Sequence, residues 1–245
     1  MNTLTKALIA EFIGTFALVF IGCGAASVAG PVGSKGQPIG ELITVALAFG
    51  VTIMIFAYTY GHISGTHINP AVTLGLLTAG KMAVMDAIAY IVAQILGATV
   101  GGFALLWVWN GKVMNGMGVT AVNTDAGITV AAAFFLEMIG TFFLVNTVMN
   151  AAVSGKAGNL APVAIGLTVS VGIMFFGGLT GGSMNPARSL GPAIAAGMYD
   201  NIWLYLIAPT LGGILAGLLY RYVFAPAAVA TPVSVSTAEP STQPV

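Results

Sequence analysis

Long charge-free stretches, broken by isolated charges, set the pattern of this chain. They occupy residues 12–34, 42–80, 87–111, 138–155, 157–187 and 201–220. A helix needs about 20 mostly apolar residues to cross a bilayer, so six membrane-spanning helices are predicted. Two runs, 42–80 and 157–187, are too long for one span. Each begins as apolar sequence and then passes into a Gly/Ser/Thr-rich stretch. Glu11 interrupts the first apolar segment early and no soluble domain follows, which argues against a cleavable signal peptide.

Composition supports a membrane protein. Of 245 residues 58% are hydrophobic and 6% charged, whereas about a quarter of a soluble domain is charged. That leaves too little polar surface for a water-soluble enzyme. Seven Lys/Arg against seven Asp/Glu leave no basic face for nucleic acid. The single Cys23 excludes an internal disulfide and a thiolate metal cluster. His62 and His67 stand five apart with no Cys or carboxylate beside them, so no metal site is expected, and no cofactor.

Orientation follows from the loop cations. With six spans, one side collects Lys6, Lys81, Lys156 and Arg221 and the other Lys35 and Lys112, which places both termini in the cytoplasm. Residues 226–245, rich in Pro, Ala, Val, Ser and Thr with the single charge Glu239, read as a disordered tail after a single membrane domain over 1–225.

The chain contains an internal repeat. Gly65, Asn69, Pro70, Ala71, Leu74 and Gly75 recur at an offset of 116 as Gly181, Asn185, Pro186, Ala187, Leu190 and Gly191. Glu11-Phe12-Ile13-Gly14-Thr15-Phe16 matches Glu137-Met138-Ile139-Gly140-Thr141-Phe142 at an offset of 126. The offset of 116 also aligns Gly97…Gly101 with Gly213…Gly217, read as small-residue packing faces. The repeats cover about 6–110 and 127–224. Three spans in each half make the second half inverted, and inverted repeats place their site at broken helices near the midplane.

Both overlong runs break at Asn-Pro-Ala. Asn is a preferred N-cap and Pro suits the first helical position, so Asn69-Pro70 and Asn185-Pro186 start short helices running to Ala79 and Ala196. These half-helices are too short to span and enter from opposite faces. Backbone that is not helical, expected over 61–68 and 177–184, is tolerated at this depth where it lines a water-filled cavity. Two positive helix ends, each worth roughly half a charge, then meet midway. Asn amides and backbone carbonyls form one polar rail in an apolar tube. Such a tube passes neutral hydrogen-bonding molecules in single file and rejects cations, whose hydration is not replaced.

On these motifs the chain resembles an aquaporin of the major intrinsic protein family over about residues 6–224. The resemblance implies an all-α membrane fold with six spans, two re-entrant half-helices and an inverted 3+3 repeat. It further implies a passive, non-enzymatic channel for water, and for small neutral solutes such as glycerol, ammonia or urea, in a multi-pass homotetramer of the cell membrane. It places the selectivity filter at Phe49, Ile173, Gly182 and Arg188, and pore-lining carbonyls on Gly65, Thr66, His67, Gly181 and Ser183. Strict water channels carry His where Ile173 stands and a bulkier residue in place of Gly182, so this ring is expected to be wider and less polar. Ser189 and Ala193 resemble the water-channel subgroup, and Tyr205-Leu206 is mixed.

Other roles are open to the polar residues. An Arg at membrane depth is functional by default, the alternative for Arg188 being a side chain reaching to the interface. Glu11 and Glu137 fit acceptors that hold the loops better than a proton relay, because no acid or His lies within a helical turn of either. Alternatives are a facilitator chiefly for glycerol, an ion-coupled transporter, and an intramembrane enzyme. Against the transporter, no coupling-ion ligands cluster; against the enzyme, neither Ser64 nor Ser183 has a partner base. Cys23 reads as a small core residue.

Overall fold

The computed structural model describes residues 3–30 and 39–225. Lys35 and the 226–245 tail with Glu239 lie outside the described residues. Among the described residues six helices are long and apolar enough to cross a bilayer. They are spans 1 to 6, at Thr3–Ala29, Gly40–Ser64, Val84–Val108, Val130–Val153, Gly158–Thr180 and Ile202–Phe224. Two short helices, Pro70–Thr78 and Pro186–Ala196, follow spans 2 and 5. The architecture is the expected all-α one.

Charge spacing alone misplaces some span limits. Span 4 starts at Val130 and carries Glu137 inside it, and span 1 starts at Thr3 and runs through Glu11. Both carboxylates are fully buried, each surrounded by hydrogen-bond donors, so neither marks a membrane boundary. The stretches before the half-helices are also shorter than expected. Spans 2 and 5 stay helical past Gly61 and Gly177 to Ser64 and Thr180. They end where Gly65 (φ 80°) and Gly181 (φ 86°) turn left-handed, the usual glycine stop. The irregular backbone is therefore limited to 65–69 and 181–185.

Many bulky side chains face outward, while small ones fill close helix contacts. Ile55, Phe103, Phe135 and Phe175 are exposed, while Ala98, Ala208, Ala216, Thr15 and Thr141 are fully buried. That suits helices whose outer solvent is hydrocarbon and whose contacts depend on close backbone approach. Trp107 and Tyr222, 82% and 74% exposed, stand near span ends, where amphipathic rings sit at the membrane interface.

Packing interleaves the halves. Span 1 packs on span 3 and span 4 on span 6, while the first half-helix packs on span 6 and the second on span 3. Spans 2 and 5 cross at Gly50 and Gly166. A Cβ on either glycine would run into the other's carbonyl oxygen, so the pseudo-twofold axis passes between these repeat-related residues.

The contacts correct the repeat register in the third helices, which is 115 rather than 116. Gly97 packs against the carbonyl of Phe12, and Gly212 against that of Met138. Gly102 packs against Gly191 of the second half-helix, and Gly217 against Gly75 of the first. Tyr90 and Tyr205 donate to the carbonyls of Ser64 and Thr180. The GxxxG match at 116 aligned glycines that touch different neighbours. One residue fewer in the stretch between half-helix and third span shifts the register.

Candidate functional site

The two half-helices begin at adjacent N-caps. Asn69 (φ −160°, ψ 118°) accepts from Ala71 N at 2.9 Å, and Asn185 (φ −155°, ψ 109°) accepts from Ala187 N at 3.0 Å and Arg188 N at 3.2 Å. Each amide also reaches the other half. Asn69 Nδ2 donates to Met184 O and Asn185 Nδ2 to Ile68 O, both at 2.8 Å. An amide NH₂ carries two hydrogens. One on each Asn is taken by the opposite loop, leaving the second for whatever occupies the space between.

The loops leading into the caps repeat one backbone pattern. Gly65, Thr66 and Ile68 have φ of 80°, 48° and 42°, and Gly181, Gly182 and Met184 have 86°, 58° and 50°. Left-handed φ at a β-branched residue such as Ile68 is strained and needs external support. Glu11 supplies it by accepting from His67 N at 2.9 Å, Ile68 N at 2.6 Å, Ser64 Oγ at 2.7 Å and Gln94 Nε2 at 2.7 Å. Glu137 does the same through Ser183 N at 2.9 Å, Met184 N at 2.8 Å and Thr180 Oγ1 at 2.6 Å. With the loop N–H groups drawn to the carboxylates, the loop carbonyls are turned the other way.

This geometry favours a holding role for both acids over a proton relay. Gln94 Nε2 donates to Thr73 Oγ1 at 3.0 Å as well as to Glu11, and Thr73 in turn meets His67 Nδ1 at 3.1 Å. An amide that donates in both directions passes no proton between them. Ser64 and Ser183 are committed too, to Glu11 and to Ser189 Oγ at 2.6 Å. Among the described residues no group of three His, Cys, Asp or Glu is placed to hold a metal.

The proposed filter residues come together. Phe49, Ile173 and Arg188 are buried, and all three line one narrow cavity of about 60 Å³ with Gly182, Asn69 and Asn185. A cavity of that size admits water-sized molecules. Gly65, Thr66, His67 and Ser183 line it as well, and apolar Ile53, Leu144, Val148 and Val169 form the facing wall. Gly181 lies instead on a wider vestibule of about 370 Å³, which meets the narrow part at Ile173 and Arg188.

Arg188 is only 3% exposed, so it does not reach out to the interface. Its Nη1 donates to Gly118 O at 2.6 Å, its Nη2 to Gly181 O at 3.4 Å, and its guanidinium lies 4.6 Å from the centre of the Phe49 ring. Arg188 Nε is buried without a partner. The space expected beside Gly182 is partly filled: a Cβ there would come within 3.0 Å of Ile173 Cγ1. Cys23 is fully buried in span 1, away from this lining.

Sequence reasoning missed Gln94, Tyr90, Tyr205 as a loop brace, and the outer loop at Gly118. Gln94 is a buried amide in an apolar run, and that polarity was a usable signal. Gly118 was not findable, because its backbone carbonyl does the work and carries no residue-specific mark.

The family model described as "Major intrinsic protein" matches residues 1–220. The chain is 40% identical over 224 residues to mouse aquaporin-4, covering 90% of this chain and 68% of that protein. It is 42% identical over 224 residues to the probable aquaporin TIP2-2 of rice (Oryza sativa subsp. japonica), covering 89% and 87%. Among solved structures it matches the aquaglyceroporin from Plasmodium falciparum with a TM-score of 0.76 and 28% identity, covering 91% of this chain and 98% of that one.

Proposed function

The chain belongs to the major intrinsic protein family, and within that family of passive channels we propose that its pore carries water first and small neutral solutes second. The observation that carries this reading is the shared cavity at the half-helix tips, with one hydrogen of each Asn amide left unspent beside it. A molecule that both donates and accepts replaces its lost water contacts with these hydrogens and the loop carbonyls. A cation meets two positive helix ends and a guanidinium, and its desolvation is not repaid.

Phe49, Ile173, Gly182 and Arg188 act as the filter, and Glu11 and Glu137 hold the carbonyl loops. Ile173 leaning toward Gly182 narrows the gap those small residues leave, which favours water over glycerol. The chain works as a homotetramer with one pore per subunit, in the cell membrane, with both termini cytoplasmic.

Stopped-flow light scattering on proteoliposomes tests the solute order. Sucrose in excess outside gives fast shrinkage, and glycerol in excess outside gives fast shrinkage followed by slow reswelling. Reswelling as fast as the shrinkage makes glycerol a principal substrate. Flux that needs a proton or sodium gradient replaces the channel by a coupled transporter.

A further inference from the structure

Arg188 is held from outside the two repeats. Its shortest contact, Nη1 to Gly118 O at 2.6 Å, reaches the loop between spans 3 and 4. That loop contains four consecutive left-handed residues, Asn115, Gly116, Met117 and Gly118, with φ of 47°, 72°, 49° and 67°. Two of them are not glycine, and such backbone persists only where its surroundings over-determine it.

Three contacts supply that support. Asn115 Nδ2 donates to Ser27 O in span 1 at 2.7 Å. Met117 is fully buried although it comes from an outer loop, and it belongs to the same apolar cluster as Leu18 and Cys23 of span 1. Gly118 lies against Cys23 so closely that a Cβ would come within 2.8 Å of Cys23 Cβ. The loop then continues to the second half, where Thr120 Oγ1 donates to Ser189 Oγ at 3.0 Å and Asn123 Nδ2 to Gly178 O at 2.9 Å. Span 1 of the first half is thereby connected to the filter of the second.

We propose that Asn115 and Met117 are positioning residues for the filter, which seat the outer loop on span 1 and hold the Arg188 guanidinium against the wall through the Gly118 carbonyl. This rests on the reading of Arg188 as a filter residue. Neither side chain needs to touch the permeant. Without the seat, Gly118 O moves away and Nη1, a buried charged donor, has to find another acceptor. The free space beside it is the passage, so the guanidinium swings inward and narrows the aperture.

The test compares Asn115→Ala, Met117→Ser and Met117→Leu, each in the natural chain and in an Arg188→Ala background, in proteoliposomes matched for protein content. Thermal unfolding in detergent and the water and glycerol permeabilities are read for each. Asn115→Ala and Met117→Ser are expected to lower water permeability about fivefold in the natural chain, about the effect of one lost hydrogen bond, and to leave it unchanged in the Arg188→Ala background. Met117→Leu, which keeps the volume, restores the natural rate. Equal slowing in both backgrounds means general damage to the fold and overturns the proposal, as does no slowing in either. If Arg188→Ala alone leaves the ratio of water to glycerol permeability unchanged, the filter reading itself fails, whatever the loop variants do.

Discussion

Asn69 and Asn185 are tied to each other's loops, Asn69 donating to Met184 O and Asn185 to Ile68 O, each at 2.8 Å. The two helix tips therefore cannot separate without breaking both bonds and leaving two buried carbonyls unpaired. Each Asn performs three tasks with one amide. Its oxygen caps a helix, one hydrogen ties the halves together, and the other is left for the passage.

This division of labour separates two substitutions. Asn185→Asp keeps an oxygen for the Ala187 and Arg188 amides but loses the donor to Ile68 and adds a negative charge at the centre. Water permeability is expected to fall and cation leak to rise. Asn185→Ala loses the cap, costing about 1 kcal/mol, and gains no cation leak of this electrostatic kind. Conductance of planar bilayers holding each variant distinguishes them, and equal leak in both contradicts the electrostatic account.

The buried carboxylates differ in what they hold. Glu11 has four donors and Glu137 has three, because Gln94 has Pro209 as its counterpart in the corrected register. Replacing either acid by Gln puts an amide NH₂ against an N–H that needs an acceptor, a loss of about 1.5–3 kcal/mol for a bond to a charged group. Thermal unfolding in detergent is expected to drop for both Glu11→Gln and Glu137→Gln, and further for Glu11→Gln. A larger drop for Glu137→Gln contradicts this ranking.

The proposed filter is expected to depend on a pair rather than on one residue. Gly182→Ala places a methyl 3.0 Å from Ile173 Cγ1 at a φ of 58°, so water and glycerol permeability are both expected to fall. Adding Ile173→Ala removes the opposing branch and is expected to recover most of the flux. Full water flux in the single Gly182→Ala variant means that the two side chains do not share the space.

Mercurials are expected to leave the channel open. Cys23 is the sole thiol of the sequence and is fully buried outside the narrow cavity. Water flux before and after mercuric chloride, in the natural chain and in Cys23→Ser, measures this. Block of the natural chain alone means that reagent reaches Cys23 within the packed core.

The doubled Asn-Pro-Ala was legible in the sequence because capping chemistry is local: Asn before Pro marks a helix start wherever it occurs. The paired acids were legible too, since Glu11 and Glu137 sit in apolar runs where only a buried partner explains them. Charge spacing failed to bound spans 1 and 4 for that same reason. The third-helix register was hidden because GxxxG recurs by composition, and only contacts decide which glycine meets which backbone. The seat of Arg188 was hidden because a main-chain oxygen in an outer loop leaves no trace in residue type.

The most direct test measures osmotic water flux and potassium and proton flux on the same proteoliposomes, with an imposed diffusion potential. Opposed positive helix tips predict rapid osmotic shrinkage, unchanged by the imposed potential, with ion and proton permeability at the level of empty vesicles. Fast shrinkage accompanied by a potential-driven proton or potassium current above that level contradicts the account.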